Sequence, residues 1–353
     1  MLLLPSFIFA QSETRSIGFL QKLEESAGFN LQFFNINPDI GAKRSFTSFS
    51  LPLHTNYTYN RYLSFAISFN QGYQSFDGNG IYGVGDLLLS SRLLLNKNIT
   101  IVGGFTLPTG SKELKPEELS ATSAGRIPFI NSPLRYGSSG FGFRGGFSYG
   151  SQLNSKTAIA AGIKYFYRGE YNPLEFVKDY DPSDELRLSA GIDYGNRESG
   201  LIAKTMLSFF TKERVAGNDQ SEPGLGFAFQ GTGFYQGWKL ATTFYKRQKT
   251  KLTYGGKFKP PSLVNFKISH GEILNYLPGS SDIKALPYLG FEHTGEGTVV
   301  KSANIFLFGL FWQNLQYKEY PLAPYLELNF GSLAGDARIL GLELGTNVTF
   351  QIY

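Results

Sequence analysis

Apolar and polar residues alternate at every second position through most of this chain, and few folds tolerate that pattern. In 62–70 the odd positions are Leu63, Phe65, Ile67 and Phe69; the even ones are Tyr62, Ser64, Ala66, Ser68 and Asn70. In 185–194 the even set is Leu186, Leu188, Ala190, Ile192 and Tyr194, against Glu185, Arg187, Ser189, Gly191 and Asp193. A strand sends successive side chains to opposite faces, so each segment has one apolar face and one wet face, whereas a helix would smear both sets around its surface. The same alternation recurs at 49–59, 84–95, 98–107, 139–149, 156–168, 200–210, 224–235, 237–246, 299–312, 322–331 and 340–353, with weaker forms at 29–36, 263–269 and 284–293.

Two-faced strands bury one face against a second sheet or against lipid, and composition separates these. Only 17% of the 353 residues are charged, against roughly 25% in a soluble domain. Aromatics reach 16%, with 41 Gly. Mean hydropathy is −0.16, and no apolar run approaches the ~20 residues of a membrane helix. This combination fits a membrane barrel whose strands are apolar on one face. Aromatic residues near strand ends (Tyr57, Tyr59, Tyr149, Tyr165, Tyr167, Tyr194, Tyr235, Trp238, Trp312) suit the headgroup boundary; packing inside a sandwich is the plainer alternative.

Connections alternate in length. Short ones fall at Asn60-Arg61, Asn96-Lys97, 152–155, 195–199 and Gln236; long polar ones span 71–83, 108–138, 169–184, 211–223 and 247–262. Outer-membrane barrels pair short periplasmic turns with long outer loops. The expectation is an all-β, closed antiparallel transmembrane barrel of about 14 strands, with roughly 12 to 16 allowed, both termini lying in the periplasm. Loop 108–138 is expected to fold into the lumen or cover the mouth. Residues 1–10 read as the tail of a signal peptide cleaved after Ala10. Residues 11–28 read as a periplasmic lead, with a short plug helix an option from the spacing of Phe19, Leu20 and Leu23; the barrel is expected over 29–353.

If the apolar faces meet lipid, the wet faces line a lumen. Asp86, Arg92, Arg144, Lys164, Arg168, Glu185, Arg187 and Asp193 are the candidate selectivity residues, with Lys204, Glu292, Glu327 and Glu343 on the same faces. Arg or Lys facing lipid at mid-bilayer costs about 2–4 kcal/mol, so their confinement to one face is informative. They either pair and fill the interior or border a water-filled passage.

Little points to chemistry. There is no Cys, and His54, His270 and His293 have no metal-ligand spacing. Ser269 and His270 adjoin and so point oppositely in a strand. Gly146-Phe147-Ser148-Tyr149-Gly150 matches Gly-x-Ser-x-Gly but lacks the following helix a nucleophile elbow needs, so Ser148 reads as a wet-face strand residue. The net charge of +5 is scattered, without the basic cluster that nucleic acid requires. No cofactor signal is present. Tyr353 supplies the terminal aromatic usual in such barrels, one residue out of phase with Leu342, Leu344, Val348, Phe350 and Ile352, as a bulge or an inward-facing end would give.

Gly83-Val84-Gly85-Asp86-Leu87, followed by 88–95, a tight Asn96-Lys97-Asn98 turn and a second strand that ends in Leu107-Pro108-Thr109-Gly110, resembles the outer-membrane family labelled for the MetA pathway of phenol degradation. Its members carry a Gly-x-Gly-Asp start to one strand and a Leu-Pro-Thr-Gly end to the next. Ala27-Gly28-Phe29-Asn30-Leu31-Gln32-Phe33-Phe34 resembles that family's first strand, so the likeness covers residues 27–110. It implies a porin-like channel, often for aromatic or hydrophobic compounds. The chain is similar in kind to long-chain fatty-acid transporter barrels but lacks their N-terminal signature. The expected function is passage of small solutes across the outer membrane of a Gram-negative bacterium. The expected partners are membrane lipid and lipopolysaccharide, the barrel-assembly machinery and the solute; the sequence leaves oligomeric state open. A filled barrel that binds a partner through loops 108–138, 169–184 and 211–223 is the second reading, and a barrel enzyme the third.

Overall fold

Alternation becomes a closed wall because every strand has both edges paired. The computed structural model describes residues 22–38, 42–110, 113–127, 130, 132, 134, 140–196, 198–270, 284–298, 301–313, 315–317, 320–334 and 337–352. Among these, 16 strands form the barrel. They are β1 Lys22–Pro38, β2 Arg44–Thr58, β3 Leu63–Phe76, β4 Leu87–Leu94, β5 Ile99–Leu107, β6 Gly142–Asn154, β7 Thr157–Arg168 and β8 Glu185–Gly195. There follow β9 Ser199–Phe210, β10 Gly226–Tyr235, β11 Trp238–Arg247, β12 Leu263–His270, β13 Lys284–Thr294, β14 Ala303–Gln313, β15 Tyr325–Leu333 and β16 Ala337–Ile352. Each is antiparallel to its neighbours, and β16 closes on β1 from Leu23 opposite Ile352 to Pro38 opposite Ala337. Closure removes the free edges that would otherwise expose unpaired N–H and C=O groups.

The sixteen strands coincide with the sixteen alternating segments, the three weaker ones included. Several boundaries shift, as where β2 starts at Arg44 rather than 49 and β6 runs to Asn154 through the turn read at 152–155; two shifts have a clear physical cause. The first strand begins at Lys22, inside the segment read as a lead, because Glu25 interrupts the apolar set and hides the alternation. The segment 71–83, read as a loop, is a hairpin. The chain runs to Phe76, reverses at Asp77-Gly78, both with positive φ, and returns as a strand at Asn79–Val84 paired to β3. Such a primed turn matches strand twist. Residues 1–21, with the signal tail and most of the plug option, and Tyr353 lie outside the described residues.

At one end of the barrel several connections are short. Asn60, Asn96 and Asn196 each use their side-chain oxygen to accept two backbone N–H groups from the residues that follow, the reason Asn suits such turns. At the other end, three loops meet in a second, five-stranded sheet of Tyr180–Asp181, Glu213–Val215, Asn218–Glu222, Thr250–Leu252 and Lys257–Phe258.

Large apolar side chains cover the outside of the wall. Phe65, Ile67, Leu188, Phe306 and Phe330 are exposed, and Phe147 is 55% exposed. Tyr59, Tyr149, Tyr194, Tyr235 and Trp238 ring the short-turn end on the same outer face. An apolar belt of this extent, bordered by amphipathic rings, is stable against hydrocarbon rather than water. Leu188→Arg, near the middle of β8, should cost about 2–4 kcal/mol in urea-dependent folding into lipid vesicles. Ser189→Arg, its neighbour on the inner face, should cost less than about 1 kcal/mol.

Candidate functional site

The two short motifs singled out in the sequence meet in space. Between Asn79–Val84 and β4 the ladder is broken at Gly85-Asp86, where the loop that leaves β5 fills the gap. The Thr109 hydroxyl donates to Gly85 O (3.0 Å) and accepts from Leu87 N (2.9 Å). The Asp86 carboxylate accepts from Gly110 N (3.0 Å). The Asp86 carboxylate thus clasps the base of loop 108–138, a contact that strand parity does not reveal.

From that clasp the loop turns inward. Its helix α1, Pro116–Gly125, starts with Pro116, whose fixed φ suits a first turn, and with Glu118 accepting from Lys115 N (2.9 Å). Three inner-face side chains hold the loop against β1–β3. Gln74 donates to Ala121 O, Gln32 donates to Ile130 O (3.0 Å), and Ser48 bonds Ser132 through their hydroxyls (3.0 Å). Ala124 and Ile130 pack into a buried cluster with Phe34, Phe46, Ile305 and Ile339. Of the two dispositions expected for this loop, the structure shows the one inside the lumen. A second tether ties it to the next loop: Leu114 N donates to Pro173 O (3.2 Å), and Glu113 accepts from Lys178 Nζ (2.6 Å) and Asn172 Nδ2 (3.0 Å).

The rest of the inner wall is divided by charge. Arg92, Arg144, Lys164, Arg168, Glu185, Arg187, Asp193 and Lys204 share the inner faces of β4 and β6–β9. Arg92 is exposed, and Arg144, Lys164 and Lys204 are half-buried. Lys164 lies directly opposite Arg187 in register, a like-charge juxtaposition that destabilises a strand pair. Glu185, 3% exposed, offsets part of this. It accepts from Arg168 Nη2 (2.8 Å), from Arg187 Nη2 (2.7 Å) and Nε (2.9 Å), and from Ser208 Oγ (2.7 Å). The Arg187 guanidinium also stacks over Phe166 at 4.6 Å. Asp193 sits apart, toward the short-turn end of β8.

Across β12–β16 the inner wall is acidic. Glu292, Glu327 and Glu343 occupy β13, β15 and β16, and Lys267 of β12 pairs with Glu327 (2.7 Å). Lys267 escaped the sequence reading because 263–269 is apolar at Leu263, Val264, Phe266 and Ile268, on both faces, so its phase was weak. The structure separates the histidines. His270 lies against Trp238 (4.5 Å), His293 bonds Asn304 (2.8 Å), and His54 is on β2. Ser148 lies in β6 opposite Thr100 and Gly162, on the inner face.

No family model matches the chain, and no curated protein matches it. The resemblance drawn over residues 27–110 therefore stands on those residues alone. Among solved structures, OccK5 (OpdH) of Pseudomonas aeruginosa aligns with TM-score 0.49 at 9% identity, over 94% of this chain and 98% of that one. An anion-selective porin from Comamonas acidovorans gives 0.48 at 14% identity, over 94% and 100%. An outer membrane channel from Pseudomonas putida F1 gives 0.42 at 10% identity, over 97% and 98%.

Removing the Glu185 carboxylate as Glu185→Ala leaves two guanidinium groups without their anion. The expected loss is about 2–3 kcal/mol in vesicle folding, below the roughly 3–5 kcal/mol of a fully buried pair because Arg168 keeps 38% of its side chain in water. The loop tether should respond to acid. Hydrogen bonds from Lys178 and Asn172 hold the Glu113 carboxyl below its ordinary value. A depressed carboxyl stabilises above its unfolded value, near ~4.3, and that contribution is lost as pH falls through the folded value. Hydrogen exchange at the Leu114 and Glu175 amides should accelerate across that acid range beyond its intrinsic pH dependence, and Glu113→Gln should abolish the excess.

Proposed function

We propose that the protein is an outer-membrane channel for small solutes, narrowed by loop 108–138 and biased toward anions by the basic wall. One observation carries this reading. The loop packs on β1–β3 and the adjoining inner faces of β14 and β16, while charged side chains across β4–β9 keep access to solvent. A barrel of this strand number is wide enough to enclose an aqueous passage, and a loop docked on one side narrows it. The short turns then face the periplasm and the five-stranded sheet the exterior. Entry through a signal peptide, folding by the assembly machinery and contact with lipopolysaccharide belong to the same proposal.

The solute class follows from the wall. Small hydrated anions suit Arg92, Arg144 and Lys164; the aromatic or hydrophobic compounds implied by the family resemblance would fit better when they also carry negative charge. A second reading, a surface-binding barrel, is favoured only by the outer sheet built from loops 169–184, 211–223 and 247–262. Loop 108–138, docked inside, offers it little.

Planar-bilayer recording tests the channel. Stable conductance steps with reversal potentials favouring chloride over potassium are expected. Arg92→Gln, Arg144→Gln and Lys164→Gln together should bring the permeability ratio toward unity. A folded barrel that conducts with the same ratio after those changes would sink the anion assignment, and a silent one would sink the channel.

A further inference from the structure

The acidic side of the lumen holds a cavity of about 170 Å³ between the docked loop and the wall, bordered by Gln32, Ile130, Lys267, Glu292, Glu327 and Glu343. Its polar groups are unevenly matched. Glu327 accepts on one oxygen from Lys267 Nζ and from the Tyr288 hydroxyl, each at 2.7 Å. Glu292 receives Asn265 Nδ2 on one oxygen (2.9 Å), while its buried Oε1 has no partner. Glu343 accepts from two amides, Asn329 Nδ2 at 3.5 Å and that of Gln32.

Gln32 supplies the independent observation. The residue is 3% exposed. Its amide N–H groups go to Ile130 O and Glu343, which fixes the amide's orientation and leaves Oε1 buried without a partner. The cavity thus presents acceptors to its interior, with three carboxylates against one ammonium. A buried acceptor without a donor and a buried charge without a counter-charge are both costly.

We propose that this cavity binds the primary ammonium group of a small organic cation. Such a group brings three N–H donors, no acceptor and one positive charge. Gln32 Oε1 and the carboxylates of Glu292 and Glu343 would receive the donors, and the Ile130 side chain would border the alkyl stem. At about 30 Å³ per water molecule, the volume suits a headgroup with a short chain. The proposal rests on the channel reading only for the route by which the ligand arrives. Because Gln32 also anchors Ile130, the occupant sits beside the loop's attachment to the wall.

The test is isothermal titration calorimetry of the full barrel folded in detergent micelles, with n-propylammonium chloride as ligand and tetramethylammonium chloride at equal ionic strength as a cation lacking N–H donors. Saturable propylammonium binding is expected. It should weaken about tenfold or more in both Glu292→Gln and Glu343→Gln and stay unchanged in Lys251→Gln, an exposed residue of the outer sheet. No saturable heat, equal binding of tetramethylammonium, or affinity unchanged in both glutamine variants would overturn the site. Retained resistance to denaturation in detergent identifies variants that have folded, and the folded one alone then decides. Conductance of the same preparation reports separately on the channel, so a silent bilayer with intact calorimetry would remove the route and leave the site.

Discussion

Backbone hydrogen bonding in a medium that offers none is the constraint from which the rest of the structure follows. A strand in hydrocarbon must give each N–H and C=O to a neighbouring strand, and the last must give its outer edge to the first. The long register between β1 and β16 meets that demand. Once the sheet is closed, each residue has only two destinations, lipid or lumen, and the two-residue period of the chain becomes a map of both. Beyond the belt the demand relaxes, and there the chain forms a hairpin, a helix and an outer sheet.

That map was legible wherever the two faces differ in polarity. In β8 the alternation of Leu186, Leu188, Ala190 and Ile192 with Glu185, Arg187, Ser189 and Asp193 places each side chain correctly. It was less legible where the inner face is also apolar. Ile305 and Leu307 alternate with Phe306 and Phe308 in β14, an apolar residue on either face, because the first pair meets the inward loop and the second meets lipid. Apolar residues on a face that should be wet are, in retrospect, the signal that something docks there. The Asp86 carboxylate also accepts from the backbone of Gly110, a partner 24 residues away that periodicity does not encode.

The inner wall shows how strand order sorts charge. Cations accumulate on β4 and β6–β9 and carboxylates on β13, β15 and β16, so the two populations lie on separate arcs of the wall. Glu185 compensates charge on one arc and Lys267 on the other. The cost of setting Lys164 opposite Arg187 is one that a barrel filled for stability alone would be expected to avoid.

The loop's docking surface also orders events in time. Gln32 belongs to β1, Ile305 to β14 and Ile339 to β16, so residues from near both ends of the chain form the floor on which a segment from its first half rests. That floor is complete only when β16 has met β1. Contacts so distant in sequence form late, since loop-closure entropy must be overcome first. The anchors on β1–β3 are available early, but the complete docking surface, with Ile305 and Ile339, exists only once the seam has zipped.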